Sequence, residues 1–124
     1  SDVYKRQRYD CDLEKTVDNL VDGSFFNSGQ SCCGIERIYV DEKIFNSFLE
    51  LFISKTYNYK LGNPLEQENN LGPVVKLSAA EFIINQMNKA LDKGAKKMID
   101  ENKFHFPKEH KNYLVPQILT NVTH

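Results

Sequence analysis

Two adjacent cysteines, Cys32 and Cys33, stand in a run of Asn, Ser and Gly residues, and they are the side chains best suited to covalent chemistry. A thiol becomes strongly nucleophilic once it is deprotonated. Such a nucleophile must be exposed yet anchored, and Gly29 lets the backbone turn closely just before it. Other uses of cysteine fit poorly. Together with Cys11 the cysteines number three, which is odd, and a disulfide between neighbouring residues is strained. No Cys-x-x-Cys occurs, and His105, His110 and His124 lack ligand spacing, so a metal site is not expected. A thiol hydrolase needs a histidine near its cysteine, and none of the three sits in a suitable position. Glu36 could serve as a local base, but beside Arg37 in a strand-like run it reads as paired or solvated. Cys11 reads as structural.

The elements that must position these residues are legible from periodicity. Leu13, Val17, Leu20, Val21 and Phe25 recur at helical spacing behind Asp10 and Asp12, which predicts a helix over residues 12–26. An irregular loop over 27–34 follows and holds both cysteines. Residues 35–40 have strand composition. Asp41 can cap a second helix whose stripe is Ile44, Phe48, Leu51, Phe52 and Lys55, ending before the turn cluster at Gly62. Ser78 and Glu81 have capping-box spacing for a third helix, with Ile83, Met87, Ala90 and Leu91 as its buried face and Gly94 at its C-terminal end. Residues 95–99 and 113–122 read as strands, and the polar, basic stretch 100–112 as a surface excursion. The alternation of types is that of an α/β layer, with too few strands for a closed core.

Composition narrows the partners. The chain has 124 residues, 40% hydrophobic and 27% charged, and 16 basic against 17 acidic side chains leave a net charge of -1. A nucleic acid or an anionic membrane surface is therefore not an expected partner. No apolar run approaches the roughly 20 residues that span a bilayer, so a soluble, cytoplasmic protein is expected, with mitochondria as the other compartment. Residues 1–9 read as a non-native or disordered start. Ser1 to Gln7 show no apolar periodicity and resemble the translated adapter found at the edges of short-read assemblies, so native sequence is expected from about Arg8, and the chain reads as a fragment.

The segment Phe25-Phe-Asn-Ser-Gly-Gln-Ser-Cys-Cys-Gly-Ile-Glu-Arg37 resembles the cysteine signature of the aldehyde dehydrogenases, Phe-x-x-x-Gly-Gln-x-Cys-x-(Ala or Gly). Gly29, Gln30, Cys32 and Gly34 occupy its fixed positions. Further family-like stretches follow in order: Arg37-Ile-Tyr-Val40, Gly62-Asn-Pro-Leu65, Leu71-Gly-Pro-Val74, Gly94-Ala95 and Tyr113-Leu-Val-Pro-Gln-Ile-Leu-Thr-Asn-Val122. The resemblance covers nearly everything over residues 10–124. It implies the fold class: α/β, part of a catalytic domain of three layers with a mostly parallel sheet, incomplete here. It implies Cys32 as nucleophile, with Phe26, Ser31 and Cys33 lining the aldehyde pocket. The amide of Cys32 would face the developing oxyanion, an Asn from elsewhere would be the second donor, and a Glu upstream of Asp10 would be the base for hydrolysis. The cofactor would be NAD or NADP, bound by a Rossmann-like unit upstream, and a Glu-x-Phe-Gly-Pro motif after His124 would touch it. The partner would be a small-molecule aldehyde, and the parent a homodimer or homotetramer. A non-catalytic structural or binding protein that keeps the fold is the alternative.

Overall fold

The computed structural model describes residues 3–123. The chain divides into two compact units, Ser1–Asn58 and Tyr59–His124.

In the first unit, strand β1 (Tyr4–Gln7) runs parallel to β2 (Arg37–Val40), with Tyr4 opposite Arg37 and Gln7 opposite Val40. Between them lies helix α1 (Leu13–Phe25), so the unit begins as a β-α-β crossover. Asp12 caps α1, its carboxylate accepting from the Lys15 amide at 3.2 Å, and Val17, Leu20 and Val21 are the buried stripe that the spacing predicts. Of residues 1–9, read as a non-native or disordered start, residues 1 and 2 lie outside the described residues and residues 4–7 form strand β1. A strand of such polar composition carries no apolar alternation to read, and it is held by backbone pairing together with an edge-to-face stack of Tyr4 on Tyr39 at 5.9 Å.

Helix α2 (Phe45–Thr56) packs beside α1. Phe48 and Phe52 are buried, and the Phe52 ring meets Phe25 edge-on at 6.3 Å and Phe48 at 5.6 Å. Thr56 is fully buried, with its hydroxyl donating to the Phe52 carbonyl at 2.7 Å, so no polar group is stranded there. Lys55, read as part of the apolar stripe, instead reaches α1 and pairs with Asp18 at 2.6 Å and Glu14 at 3.2 Å. Asp41 does not cap α2. Its carboxylate accepts from the Lys43 amide at 2.9 Å and closes a separate turn, and the helix starts behind Ile44 without a side-chain cap.

In the second unit, helix α3 (Leu77–Asp92) starts one residue before Ser78, because the Ala79 and Ala80 amides already bond the Lys76 carbonyl. The capping box is thus not formed. Nor is the expected face buried: Ala80 is enclosed, Met87, Ala90 and Leu91 are half-buried, and Ile83 is exposed. Gly94 has the positive φ of 103° expected after a helix end. Of the two long strands expected, only β3 (Lys96–Lys97) and β4 (Leu119–Thr120) form, as an antiparallel pair. Beyond them the Gln117 side chain replaces the ladder: its oxygen accepts from the amides of Ile99 and Ile118, and its nitrogen donates to the Ile99 carbonyl. The excursion over 100–112 is anchored by Phe104, which is buried. The α/β character therefore holds, and among the described residues the strands form two pairs, β1–β2 parallel and β3–β4 antiparallel. Among the described residues no helix is long and apolar enough to cross a membrane.

Candidate functional site

The cysteine loop is built by its two ends. Helix α1 stops at Phe25, and the Phe26 amide still bonds the Asp22 carbonyl. Phe25 turns inward onto Phe52, whereas Phe26 is 66% exposed, so the two adjacent rings are separated by the helix end. The loop is closed at its base by the Ile35 amide, which donates to the Gly23 carbonyl at 2.9 Å. A Cβ on Gly23 would meet the terminal methyl of Ile35 at 2.7 Å, so a larger residue there would make that side chain shift.

Within the loop the backbone is left-handed at three successive residues, with φ of 54° at Asn27, 57° at Ser28 and 74° at Gly29. A tight turn follows, in which the Gly34 amide donates to the Ser31 carbonyl at 3.0 Å with Cys32 and Cys33 between them. Gly34 is needed for closeness, since a Cβ there would lie 3.1 Å from the Gly29 carbonyl oxygen and 3.2 Å from that of Ser31. The result is that Ser31, Cys32 and Cys33 are all exposed at the tip of one loop, and Phe26 is exposed near its start. Those are the four residues singled out from the sequence.

Cys33 differs from its neighbour in one respect. The Ser31 hydroxyl lies 3.3 Å from its sulfur and, by donating to the thiolate, lowers the Cys33 thiol below its ordinary range. Partial desolvation opposes this shift, while the chain's own amide, the Cys32 thiol and Lys5 add to it. Alkylation of Cys33 should consequently set in at lower pH than for an ordinary thiol, and Ser31→Ala should move that onset upward. Peptide mapping of iodoacetamide adducts across a pH series checks this, and an unmoved Cys33 onset would contradict it. Glu36 is exposed and Cys11 is half-buried. Among the described residues no group of three or more His, Cys, Asp or Glu could hold a metal ion.

A nicotinamide dinucleotide finds no diphosphate cradle at the β1-α1 connection. The β1-α1 connection, where a glycine-rich turn would cradle the diphosphate, is Arg-Tyr-Asp-Cys-Asp, and the amide end of α1 is already occupied by the Asp12 carboxylate. Sequence reasoning did not single out the contacts of Asn27 or of the Ser31 hydroxyl. Asparagine's tolerance of positive φ was the available signal for the first.

An α/β segment that presents a cysteine on a glycine-bounded loop between a helix and a strand is the class that the geometry defines. The family model described as the aldehyde dehydrogenase family matches residues 8–124, and the chain belongs to that family. It is 38% identical over 90 residues to a lactaldehyde dehydrogenase of Methanocaldococcus jannaschii, covering 73% of this chain and 19% of that protein. It is 34% identical over 113 residues to the 3-sulfolactaldehyde dehydrogenase of Priestia megaterium, covering 91% of this chain and 22% of that one. Among solved structures, glyceraldehyde-3-phosphate dehydrogenase GapN from Methanocaldococcus jannaschii, complexed with NADP, superposes with a TM-score of 0.86 at 32% identity over 96% of this chain and 25% of its own. Succinate-semialdehyde dehydrogenase from Burkholderia pseudomallei gives a TM-score of 0.90 at 25% identity, over 99% of this chain and 25% of that one. The chain thus spans about a fifth to a quarter of the length of these relatives.

Proposed function

We propose that residues 10–124 are part of the catalytic domain of an enzyme that oxidises an aldehyde to a carboxylic acid with NAD or NADP, and that Cys32 is its nucleophile. The observation that carries this reading is the exposed Cys32 at the tip of a loop closed by Gly23, Gly34 and Ile35, in a segment that resembles the family's cysteine signature. An exposed thiol can ionise and reach a carbonyl carbon. Attack of the Cys32 thiolate forms a carbon–sulfur bond and moves the carbonyl π electrons onto oxygen, giving the oxyanion of a thiohemiacetal. Backbone amides in such a tight turn are suitable donors to that charge, and the Cys32 amide is the nearest to the reacting sulfur. The exposure of Phe26, Ser31 and Cys33 around the same loop supports a role for them in lining the aldehyde pocket.

Conversion of the adduct to a thioester needs a hydride acceptor, and the residues described hold none. NADP in the GapN neighbour supports NAD or NADP in that role. A cytoplasmic homodimer or homotetramer completes the proposal and rests on the family alone. The test compares two proteins in an assay of aldehyde-dependent NAD(P)H formation. The full polypeptide carrying these residues should turn over at least one of a panel of small aldehydes, and the 124-residue chain should not. Turnover by the short chain would refute the partial-domain reading, and a well-folded but inert full polypeptide would favour a non-catalytic relative.

A further inference from the structure

We infer that Asn27 is a positioning residue, which holds the cysteine loop in shape through a reciprocal clamp on Gln30. The Asn27 carbonyl accepts from both the backbone amide of Gln30, at 3.1 Å, and its side-chain amide, at 3.0 Å. In return the Asn27 side-chain amide donates to the Gln30 carbonyl at 3.3 Å. Three bonds therefore join two residues across a turn whose interior is left-handed throughout.

Such a turn does not stay closed unaided. Left-handed backbone is disfavoured for a residue with a Cβ, and here Asn27 and Ser28 adopt it in succession. Asparagine suits the first position on two counts, because it tolerates positive φ and because its amide can donate to the chain ahead. Gln30 directly precedes the turn of Ser31 to Gly34 that carries both cysteines. The clamp consequently fixes the direction in which the chain enters that turn, and with it the aim of the Cys32 amide and the approach of the Ser31 hydroxyl to Cys33. None of these bonds involves a cysteine, so Asn27 acts through the loop rather than on a substrate.

This inference deepens the proposed function and rests on it for the kinetic arm of its test. Asn27→Asp keeps the shape but replaces the donor by an acceptor facing the Gln30 carbonyl, and Asn27→Gly keeps positive φ but has no side chain. In the full polypeptide both should lower kcat about tenfold or more, with KM changed by less than about twofold and the melting temperature nearly unchanged, as misaimed groups do. An Asn27→Asp variant with unaltered kcat would overturn the inference, as would a fall in kcat matched by loss of folded protein. The second arm needs no turnover: in the 124-residue chain at one near-neutral pH, Asn27→Asp should shift the ratio of Cys33 to Cys32 alkylation about threefold, because the Ser31 contact loosens. An unshifted ratio overturns the clamp. Failure of the unaltered enzyme to oxidise any aldehyde would instead refute the proposed function, leaving the alkylation ratio to decide on Asn27.

Discussion

Cys32→Ala is expected to lower aldehyde oxidation by the full polypeptide on the order of 10³-fold or more, a loss of about 4 kcal/mol of transition-state stabilisation. The size follows from the role. Removing the sulfur removes the covalent adduct itself, and no neighbouring group can take its place in the same geometry. Cys33 is the nearest thiol, yet it follows Cys32 in a two-residue turn, and its sulfur lies beside the Ser31 hydroxyl. Cys33→Ala should therefore lower activity far less than Cys32→Ala. Steady-state assays of both variants check the contrast, and equal losses would mean that the loop, rather than one sulfur, had been damaged. Folding should survive Cys32→Ala, since the side chain is exposed.

The largest effect on stability is expected from Phe52→Ala, at about 3–5 kcal/mol in the unfolding of the first unit. Phe52 is 4% exposed and is the ring that joins α2 to the end of α1, through Phe25, just before the cysteine loop. Truncation leaves a void between two helices that are already fixed by Val17, Leu20 and Phe48, so the surroundings cannot readily collapse into it. A small unit has few such contacts to spare. Phe52→Leu should cost much less by keeping most of the apolar volume. Denaturant titration of both variants checks this ordering, and a loss below about 1 kcal/mol for Phe52→Ala would remove the α1–α2 packing from the account.

The fold class and helix α1 were legible in the sequence, whereas several local elements were not, for physical reasons that individual residues show. Gly29, Gln30, Cys32 and Gly34 were legible through their match to the signature that the segment resembles, and the structure places them in one loop. Helix α1 was equally plain, because Val17, Leu20 and Val21 bury the stripe that their spacing draws. Local motifs without tertiary support were less dependable. Ser78 and Glu81 have capping-box spacing, but the backbone closes its first turn on Lys76 and leaves Ser78 inside the helix. Asp41 caps the turn before α2 instead of the helix. Where a strand was expected through residue 117, a glutamine side chain does the work of a neighbouring strand, and no residue-type preference announces that. Strand β1 was hidden for the opposite reason, since its residues pair through the backbone and carry no apolar pattern.

The distinction between Cys32 and Cys33 is where sequence register and local chemistry pull apart. The resemblance to the family's cysteine signature favours Cys32, whereas the Ser31 hydroxyl favours ionisation of Cys33. An acidic thiol is not by itself the catalytic one, because a nucleophile must also present its adduct to oxyanion donors. Direct identification of the acylated sulfur resolves the two. The full polypeptide, mixed with an isotopically labelled aldehyde it oxidises and NAD or NADP, can be quenched in acid within a turnover and mapped by mass spectrometry. The account predicts the labelled acyl group on Cys32, and its appearance on Cys33, with Cys32 unmodified, would contradict it.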